Sequence, residues 1–217
     1  MAKRSSRRGQ RAYRGSDDWT AIILIAFAAG VILLLPSLYD AWRRSNERAG
    51  RALTMEEARE TNASIPFVAE QGSASAFRFH GSPAAREQAV QCLATAAVYE
   101  AGNDERGQKA VMQVVLNRLA RPGYPKTVCG VVYQGATRTT GCQFSFSCDG
   151  SQSRRPERAG WPTARTTARW ALSGHICRPV GAATHYHADW VVPYWIGSLD
   201  KIAQVHSHIF YAPRQHA

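Results

Sequence analysis

Residues 88–100 read Gln88-Ala89-Val90-Gln91-Cys92-Leu93-Ala94-Thr95-Ala96-Ala97-Val98-Tyr99-Glu100. Small and apolar side chains recur here with the period of an amphipathic α-helix, on a stripe formed by Ala89, Cys92, Leu93, Ala96 and Ala97. Glu100 continues that stripe by one step, and Gly102 and Asn103 follow, both of which favour a helix C-terminus. The pattern predicts a core-facing helix that carries a half-buried carboxyl group at its end.

Two influences at that helix end are expected to raise the pKa of the Glu100 carboxyl group. Burial disfavours the charged form, and a helix C-terminus disfavours negative charge. A carboxyl group that keeps its proton near neutral pH can serve as a general acid. The same residues also allow a surface glutamate at a frayed helix end, or one paired with Arg106 or Lys109, and both interpretations stay open here.

The charge distribution limits the possible partners. The chain has 217 residues, which fits one domain with appendages, and a formal net charge of +11. Residues 1–18 contain six basic and two acidic side chains and are predicted to form a basic cytoplasmic tail. A positive chain suits an anionic polymer or an anionic membrane surface. Nucleic acid is not an expected partner, because no helix-turn-helix, zinc-finger or aromatic RNA-binding pattern is present.

Residues 19–39 contain no charged side chain and have Trp19 and Tyr39 at their ends. About 20 apolar residues span a bilayer core, and aromatic residues favour the membrane interface. We therefore predict a transmembrane helix at 19–39. Basic residues precede it, so the N-terminus is expected in the cytoplasm. The protein is then a single-pass membrane protein, with the rest of the chain on the extracytoplasmic side.

The remaining sequence predicts a linker at 40–61 and a catalytic domain at 62–217. Helices are expected from Glu105 to Ala120, apolar on more than one face and so buried, and from about Pro162 to Ser173. Short β-like or irregular pieces follow Gly181. The predicted fold class is mainly α (α+β), with one transmembrane helix ahead of the domain.

Five cysteines are compatible with an oxidising compartment. Cys92 lies on the apolar stripe, where a buried free thiol is common. The other four lie in loop-like sequence and allow three pairings. We predict Cys142–Cys148 and Cys129–Cys177. Their spacing does not match structural zinc sites.

The segment after Gly181 is rich in histidine and aromatic residues. His185 and His187 could be two ligands of a zinc-dependent amidase, although no third ligand or general-base glutamate stands at an obvious spacing. Alternatively, these histidines line a metal-free groove with Tyr186, Trp190, Tyr194 and Trp195, whose rings can stack on sugars. We favour the groove, and no metal or cofactor is expected.

Several motifs together resemble the spore-cortex-lytic type of bacterial cell wall hydrolase. They occur in order over roughly residues 62–212: Tyr99-Glu100-Ala101, Gly107-Gln108, Val115-Leu116-Asn117-Arg118, Tyr124-Pro125, Val128-Cys129-Gly130-Val131-Val132-Tyr133-Gln134, Cys142-Gln143-Phe144-Ser145-Phe146, Cys148-Asp149-Gly150, Ala183-Thr184-His185-Tyr186-His187 and His208-Ile209-Phe210-Tyr211. The resemblance implies a lysozyme-like domain that cleaves the glycan strand of peptidoglycan, typically as a lytic transglycosylase, and places the family's catalytic glutamate at Glu100. With the predicted anchor, it also implies a single-pass protein of the bacterial inner membrane whose catalytic domain lies in the periplasm. The family often has Glu-Ala-Arg-Gly-Glu where residues 100–104 read Glu-Ala-Gly-Asn-Asp. A second carboxylate could therefore be Asp104 or Glu105.

The residues themselves favour a mechanism with one carboxylate. Glycoside cleavage needs a proton for the leaving oxygen and a group that traps the oxocarbenium-like centre. A lytic transglycosylase uses the sugar's own 6-hydroxyl as that group, so Glu100 can act as acid and then as base. Sugar binding is expected from Gln143, Phe144, Ser145, His185, Tyr186, His187 and Tyr194. The alternatives are a zinc-dependent N-acetylmuramoyl-L-alanine amidase and a non-catalytic peptidoglycan-binding membrane protein.

Overall fold

The computed structural model describes residues 22–24, 27, 30, 34–43, 52–68, 72–74, 76–138, 141–153 and 159–214. The chain divides into two compact units, Met1–Ala52 and Leu53–Ala217. The second unit begins ahead of the predicted boundary at residue 62, since it includes a helix that lies within and just beyond the predicted linker. This unit is mainly helical and has one small sheet.

Helix α1 (Met55–Ser64) starts in a capping box, in which Thr54 and Glu57 satisfy each other's backbone N–H groups. The side chain of Lys201 holds the other end of the helix. Its ammonium group donates to the carbonyl oxygens of Asn62 at 2.6 Å and Ile65 at 2.9 Å. Because Lys201 is only 3% exposed, α1 is anchored to the interior of the unit by a buried cation.

Helix α2 (Pro83–Ala101) is the predicted stripe-bearing helix, with Ser82 as its N-cap and Pro83 in its first turn. It packs against α3 (Glu105–Leu119) and α5 (Gly160–Ala171). Ala96 and Ala97 of α2 and Ala164 and Ala168 of α5 are completely buried. Such small side chains let the helix backbones approach closely, so the alanine-rich sequence builds the centre of the core.

Helix α3 is buried on more than one side, as its sequence predicts. Val111 and Val115 belong to the core with α2 and α5. Ala110 and Val114 belong to a second apolar cluster together with Phe210 of the sheet. The helix thus lies between the helical core and the sheet, which explains why apolar residues surround it.

The sheet contains three antiparallel strands in the order β1-β3-β2. They are β1 (His185–Ala188), β2 (Leu199–Val205) and β3 (His208–Pro213), and Tyr186 of β1 faces Phe210 of β3 in the register. The tight turn between β2 and β3 places His206 at a φ of 51°. A short helix, α4 (Val128–Val132), lies in the region that the sequence marked as loop-rich.

The disulfide pattern corrects one predicted pair. Cys142 and Cys148 are bonded as predicted, but Cys129 is bonded to Cys92, with the two Cα atoms 5.3 Å apart. Cys177 is a free, buried cysteine. The prediction of Cys129–Cys177 and of a free Cys92 was wrong because the face of α2 that carries Cys92 packs on α4, whereas Cys177 joins the cluster beneath the sheet.

The predicted transmembrane helix at 19–39 is also corrected. Among the residues that the structure describes, no helix is long and apolar enough to cross a membrane. The predicted single-pass anchor, the membrane partner and the inner-membrane placement are therefore not supported. The predicted tail at 1–18 lies outside the described residues.

Candidate active site

Glu100 occupies the last turn of α2 and is half-buried. The helix ends at Gly102, whose φ of 54° turns the chain toward Asp104, the N-cap of α3. The carbonyl oxygen of Gly102 accepts a 2.6 Å hydrogen bond from the buried amide of Gln108. The hydrogen bond from Gln108 therefore fixes this turn, which holds Glu100 at the junction of α2 and α3.

The surroundings of Glu100 raise the pKa of its carboxyl group above the ordinary value. Burial is the largest cause, and the charge of Asp149 adds to it. The Tyr186 hydroxyl and the positive charge of Arg118 act in the opposite direction. A carboxyl group under these opposing influences can hold a proton and, once it has given the proton up, can be stabilised as an anion.

Arg118 is the buried cation of this site. It is 3% exposed, and its Nε donates to the carbonyl oxygen of Thr184 at 2.6 Å. With the amide of Gln143 oriented to satisfy both groups, its oxygen accepts from both terminal nitrogens of Arg118, at 2.9 and 3.1 Å. The guanidinium also lies 5.7 Å from the ring centre of Phe144. Arg118 therefore links α3 to β1 and to the loop after residue 141.

Tyr186, in strand β1, lies close to Glu100. Its ring packs against His208 at 5.3 Å and Phe210 at 5.5 Å between centroids. Among the residues that the structure describes, the buried hydroxyl has no hydrogen-bond partner at ordinary distance and angle, but it is near enough to Glu100 to favour the ionised carboxylate. Burial, together with the charge of Glu100, keeps the pKa of the Tyr186 hydroxyl well above its usual value. The hydroxyl therefore keeps its proton at neutral pH and can donate it to an acceptor.

The loop at 142–153 packs over the end of α2. Phe146 is buried and stacks on Tyr99, the neighbour of Glu100, with ring centres 4.6 Å apart. Cys142–Cys148 closes this loop around Gln143. Ser145 is exposed on the same turn. The loop thus brings Gln143 and Phe144, both predicted from the sequence, to Arg118, whereas Ser145 is not placed against Glu100 or Arg118 by any described contact.

The two histidines of β1 lie in different surroundings. His185 is half-buried, and burial together with the charge of Arg118 lowers its pKa to about 4, so the imidazole is neutral at pH 7. Its Nδ1 lies 2.9 Å from the Thr184 hydroxyl. His187 is 7% exposed and stacks on Tyr211, at 5.2 Å between ring centroids. His185 is therefore near the Arg118 group, while His187 is part of an aromatic cluster.

Tyr194 was also predicted to bind sugar, and its position differs from that of the others. Its side chain is 99% exposed and belongs to the turn that follows β1. Residues 191–195, for which the sequence predicts a short β-like or irregular piece, are irregular and end in a turn at 194–195. Tyr194 remains a candidate for contact with a long substrate, but the structure does not group it with Glu100.

The two suggested second carboxylates have other partners. Asp104 accepts hydrogen bonds from the backbone N–H groups of Arg106 and Gly107 at 3.1 and 3.0 Å, as the N-cap of α3. Glu105 is exposed and forms a 2.6 Å ion pair with Lys109. Asp149, in the loop at 142–153, is the carboxylate whose charge raises the pKa of Glu100.

Arg118 was not predicted as a site residue, although the sequence contains a signal. It is a charged residue in a helix that is otherwise apolar on several faces, and such a residue must find buried polar partners. Those partners come from segments distant in sequence, Thr184 and Gln143, so periodicity alone could not identify them. In the described ranges, no group of three or more His, Cys, Asp or Glu side chains is arranged to hold a metal ion.

Comparison with known proteins gives a family match. The sequence profile of the Cell Wall Hydrolase family matches residues 102–211, half of the chain. The match begins just after Glu100, so it covers the rest of the site but not that residue.

Curated relatives carry the name spore cortex-lytic enzyme. The protein of Halalkalibacterium halodurans is 35% identical over 123 residues, which are 56% of this chain and 34% of that protein. The proteins of Bacillus cereus and Bacillus subtilis are 30% and 31% identical over the same share of this chain, and 43% and 36% of their lengths are covered. The chain thus spans well under half the length of these relatives. No solved structure matches it.

Proposed function

Because the chain belongs to the cell wall hydrolase family, we propose that it cleaves the glycan strand of peptidoglycan, with Glu100 as the single acid and base. The observation that carries the proposal is the raised pKa of the half-buried Glu100 carboxyl group beside a buried cation and a tyrosine hydroxyl. The name of the relatives, spore cortex-lytic enzyme, agrees with a substrate in the cell wall.

In the first step, the protonated Glu100 gives its proton to the glycosidic oxygen as the bond to the anomeric carbon breaks. The leaving sugar departs as an alcohol, and positive charge develops on the remaining sugar ring. Glu100 is now a carboxylate. Arg118 and the Tyr186 hydroxyl favour this ionised form, so they lower the free energy of the state that follows proton transfer.

In the second step, Glu100 takes a proton from the 6-hydroxyl of the remaining sugar, and that oxygen bonds to the anomeric carbon. The product is a 1,6-anhydro sugar end, and Glu100 regains its proton without the use of water. Asp104 and Glu105 have structural partners, and the Asp149 carboxylate accepts a 2.7 Å hydrogen bond from the backbone N–H of Ser151 in its own loop. These contacts favour this route over one with a second carboxylate. Gln143 and His185, both neutral and beside Arg118, are proposed to hold the sugar hydroxyls.

Mass analysis of a peptidoglycan digest tests the proposal. The full chain is incubated with purified peptidoglycan, and the released fragments are weighed with and without a chelator. Fragments with 1,6-anhydro ends, formed equally in chelator, are the expected result. Reducing ends indicate hydrolysis by water, free stem peptides indicate an amidase, and no release under any condition indicates a binding protein.

A further inference from the structure

A second concave site lies on the opposite side of α3 from Arg118. It has a volume of about 330 Å³ and lies between the start of α3, the end of α5 and strand β2. Trp170, Val205 and the free thiol of Cys177 form part of its apolar wall, and Arg106, Lys109 and Arg178 contribute positive charges. A cavity of this size is at the lower end of the range for small-molecule sites, so it suits a short segment rather than a glycan chain.

The geometry of α3 separates this cavity from the candidate active site. Lys109 and Arg118 are nine residues apart on one helix. At 100° and 1.5 Å per residue, their side chains leave opposite faces and are roughly 14 Å apart along the axis. Arg118 donates hydrogen bonds to Thr184 and Gln143, whereas the ammonium group of Lys109 lies over the ring of Trp170. The two sites therefore use different faces of the same rigid helix.

The charges around the cavity are only partly neutralised. Lys109 forms a 2.6 Å ion pair with Glu105, and its ammonium group lies 5.2 Å from the ring centre of Trp170. Neither Arg106 nor Arg178 makes an ion pair with a carboxylate in the ranges that the structure describes. An anion entering the cavity would thus meet a net positive rim, and its neighbouring apolar groups would meet Trp170 and Val205.

We propose that this cavity binds the free carboxylate end of a short peptide with small apolar side chains. The identification of that peptide as the stem peptide of peptidoglycan rests on the proposed function. A stem peptide carries free carboxylates and alanine methyl groups, which complement cations on the rim and an apolar wall. An inorganic anion such as phosphate would bind the cations but would make no apolar contact with Trp170 and Val205. The site holds the peptide of a substrate whose glycan is cleaved at Glu100.

Calorimetric titration of the full chain with the soluble pentapeptide Ala-γ-D-Glu-Lys-D-Ala-D-Ala tests this site without any turnover. Replacing Arg106 and Lys109 together by Gln should raise the dissociation constant at least about tenfold, because charge-assisted hydrogen bonds to the carboxylate are lost. The matched control is Arg121→Gln, a half-exposed arginine outside the cavity, which should leave the constant unchanged. The pentapeptide with an amidated C-terminus should bind at least about tenfold more weakly to the unmodified chain.

The outcomes separate this inference from the proposed function. Binding of the pentapeptide that depends on Arg106 and Lys109 supports the site, even if the Glu100→Gln variant and the unmodified chain prove equally inactive on glycan. No binding, or binding that the double variant and the Arg121→Gln control share, overturns the site. If the chain still cleaves peptidoglycan under those conditions, the proposed function holds although this cavity does not bind the peptide.

Discussion

The guanidinium group of Arg118 binds the side-chain oxygen of Gln143 through both of its terminal nitrogens, at 2.9 and 3.1 Å. Arg118 is 3% exposed, so its charge acts where water does not screen it effectively. Glu100 is within range of that charge. The side chain at position 143 therefore influences the proton affinity of Glu100 through Arg118.

Two substitutions at Gln143 should shift the pH dependence of glycan cleavage in opposite directions. Gln143→Glu places a carboxylate on Arg118, weakens the cation's effect on Glu100 and raises the pKa of Glu100 further. Gln143→Leu leaves Arg118 free to act on Glu100 and lowers that pKa. Because the protonated form starts the reaction, the loss of activity on the alkaline side should occur at a higher pH in the first variant and at a lower pH in the second. Shifts in the same direction would contradict the link through Arg118.

The raised pKa of Glu100 also predicts how stability depends on pH. The folded chain binds this proton more tightly than the unfolded chain does. The resulting stability is fully present below the ordinary glutamate pKa and is lost as the pH rises through the raised value. Glu100→Gln cannot ionise, so it should be more stable than the unmodified chain at neutral pH, by about 1.4 kcal/mol for each unit of pKa shift.

Urea unfolding at a series of pH values measures this difference. The advantage of the Gln variant should shrink toward zero as the pH falls below 4.5, the ordinary value for this group. A variant that is less stable than the unmodified chain at neutral pH would mean that Glu100 is ionised and well paired in the folded state.

The two disulfides should contribute unequally to stability. Cys92–Cys129 joins residues 37 positions apart, whereas Cys142–Cys148 joins residues six apart. A longer closed loop restricts the unfolded chain more, so replacing Cys92 and Cys129 by serine should cost about 4 kcal/mol. Replacing Cys142 and Cys148 should cost about 2 kcal/mol, and should reduce glycan cleavage because that loop carries Gln143. Equal losses of stability in the two double variants would contradict this reasoning.

Lys201 should be essential for holding α1 in place. Its replacement by methionine removes two charge-assisted hydrogen bonds to the end of α1 and leaves buried carbonyl oxygens unpaired. We expect a loss of about 2–4 kcal/mol and faster amide hydrogen exchange in residues 55–64. Lys126→Met is the control, because the hydrogen bond that Lys126 donates to the Arg121 carbonyl oxygen is exposed. It should change stability by less than about 0.5 kcal/mol. Unchanged exchange in α1 after the Lys201 substitution would show that other contacts hold the helix.

Local sequence rules predicted the parts of the fold that depend on neighbouring residues. The stripe ending at Glu100, the start of α2 at Ser82-Pro83 and its end before Gly102 all follow from helix periodicity and capping. The same rules identified α3 as a buried helix, because apolar side chains surround it. These signals lie within about twenty residues of one another and need no knowledge of tertiary structure.

Features that depend on distant contacts were missed. The pairing of Cys92 with Cys129 depends on how α2 meets α4, and the role of Arg118 depends on Thr184 and Gln143. The run at 19–39 is long and apolar enough by composition to predict a membrane-spanning helix. No helix among the described residues is long and apolar enough to cross a membrane. Residues 201–211 alternate only loosely in the sequence, and the structure divides them between two strands on either side of the turn at His206.

The most direct test is the rate of glycan cleavage by Glu100→Gln, compared with the matched variant Glu105→Gln and with the unmodified chain. Both substitutions replace one carboxylate by an amide, but Glu105 is exposed and paired with Lys109. We predict that Glu100→Gln slows cleavage by about 10²–10⁴-fold, the usual contribution of a general acid–base group. Glu105→Gln should retain the rate of the unmodified chain. Cleavage by Glu100→Gln at the unmodified rate would contradict the assignment of Glu100 as the catalytic acid.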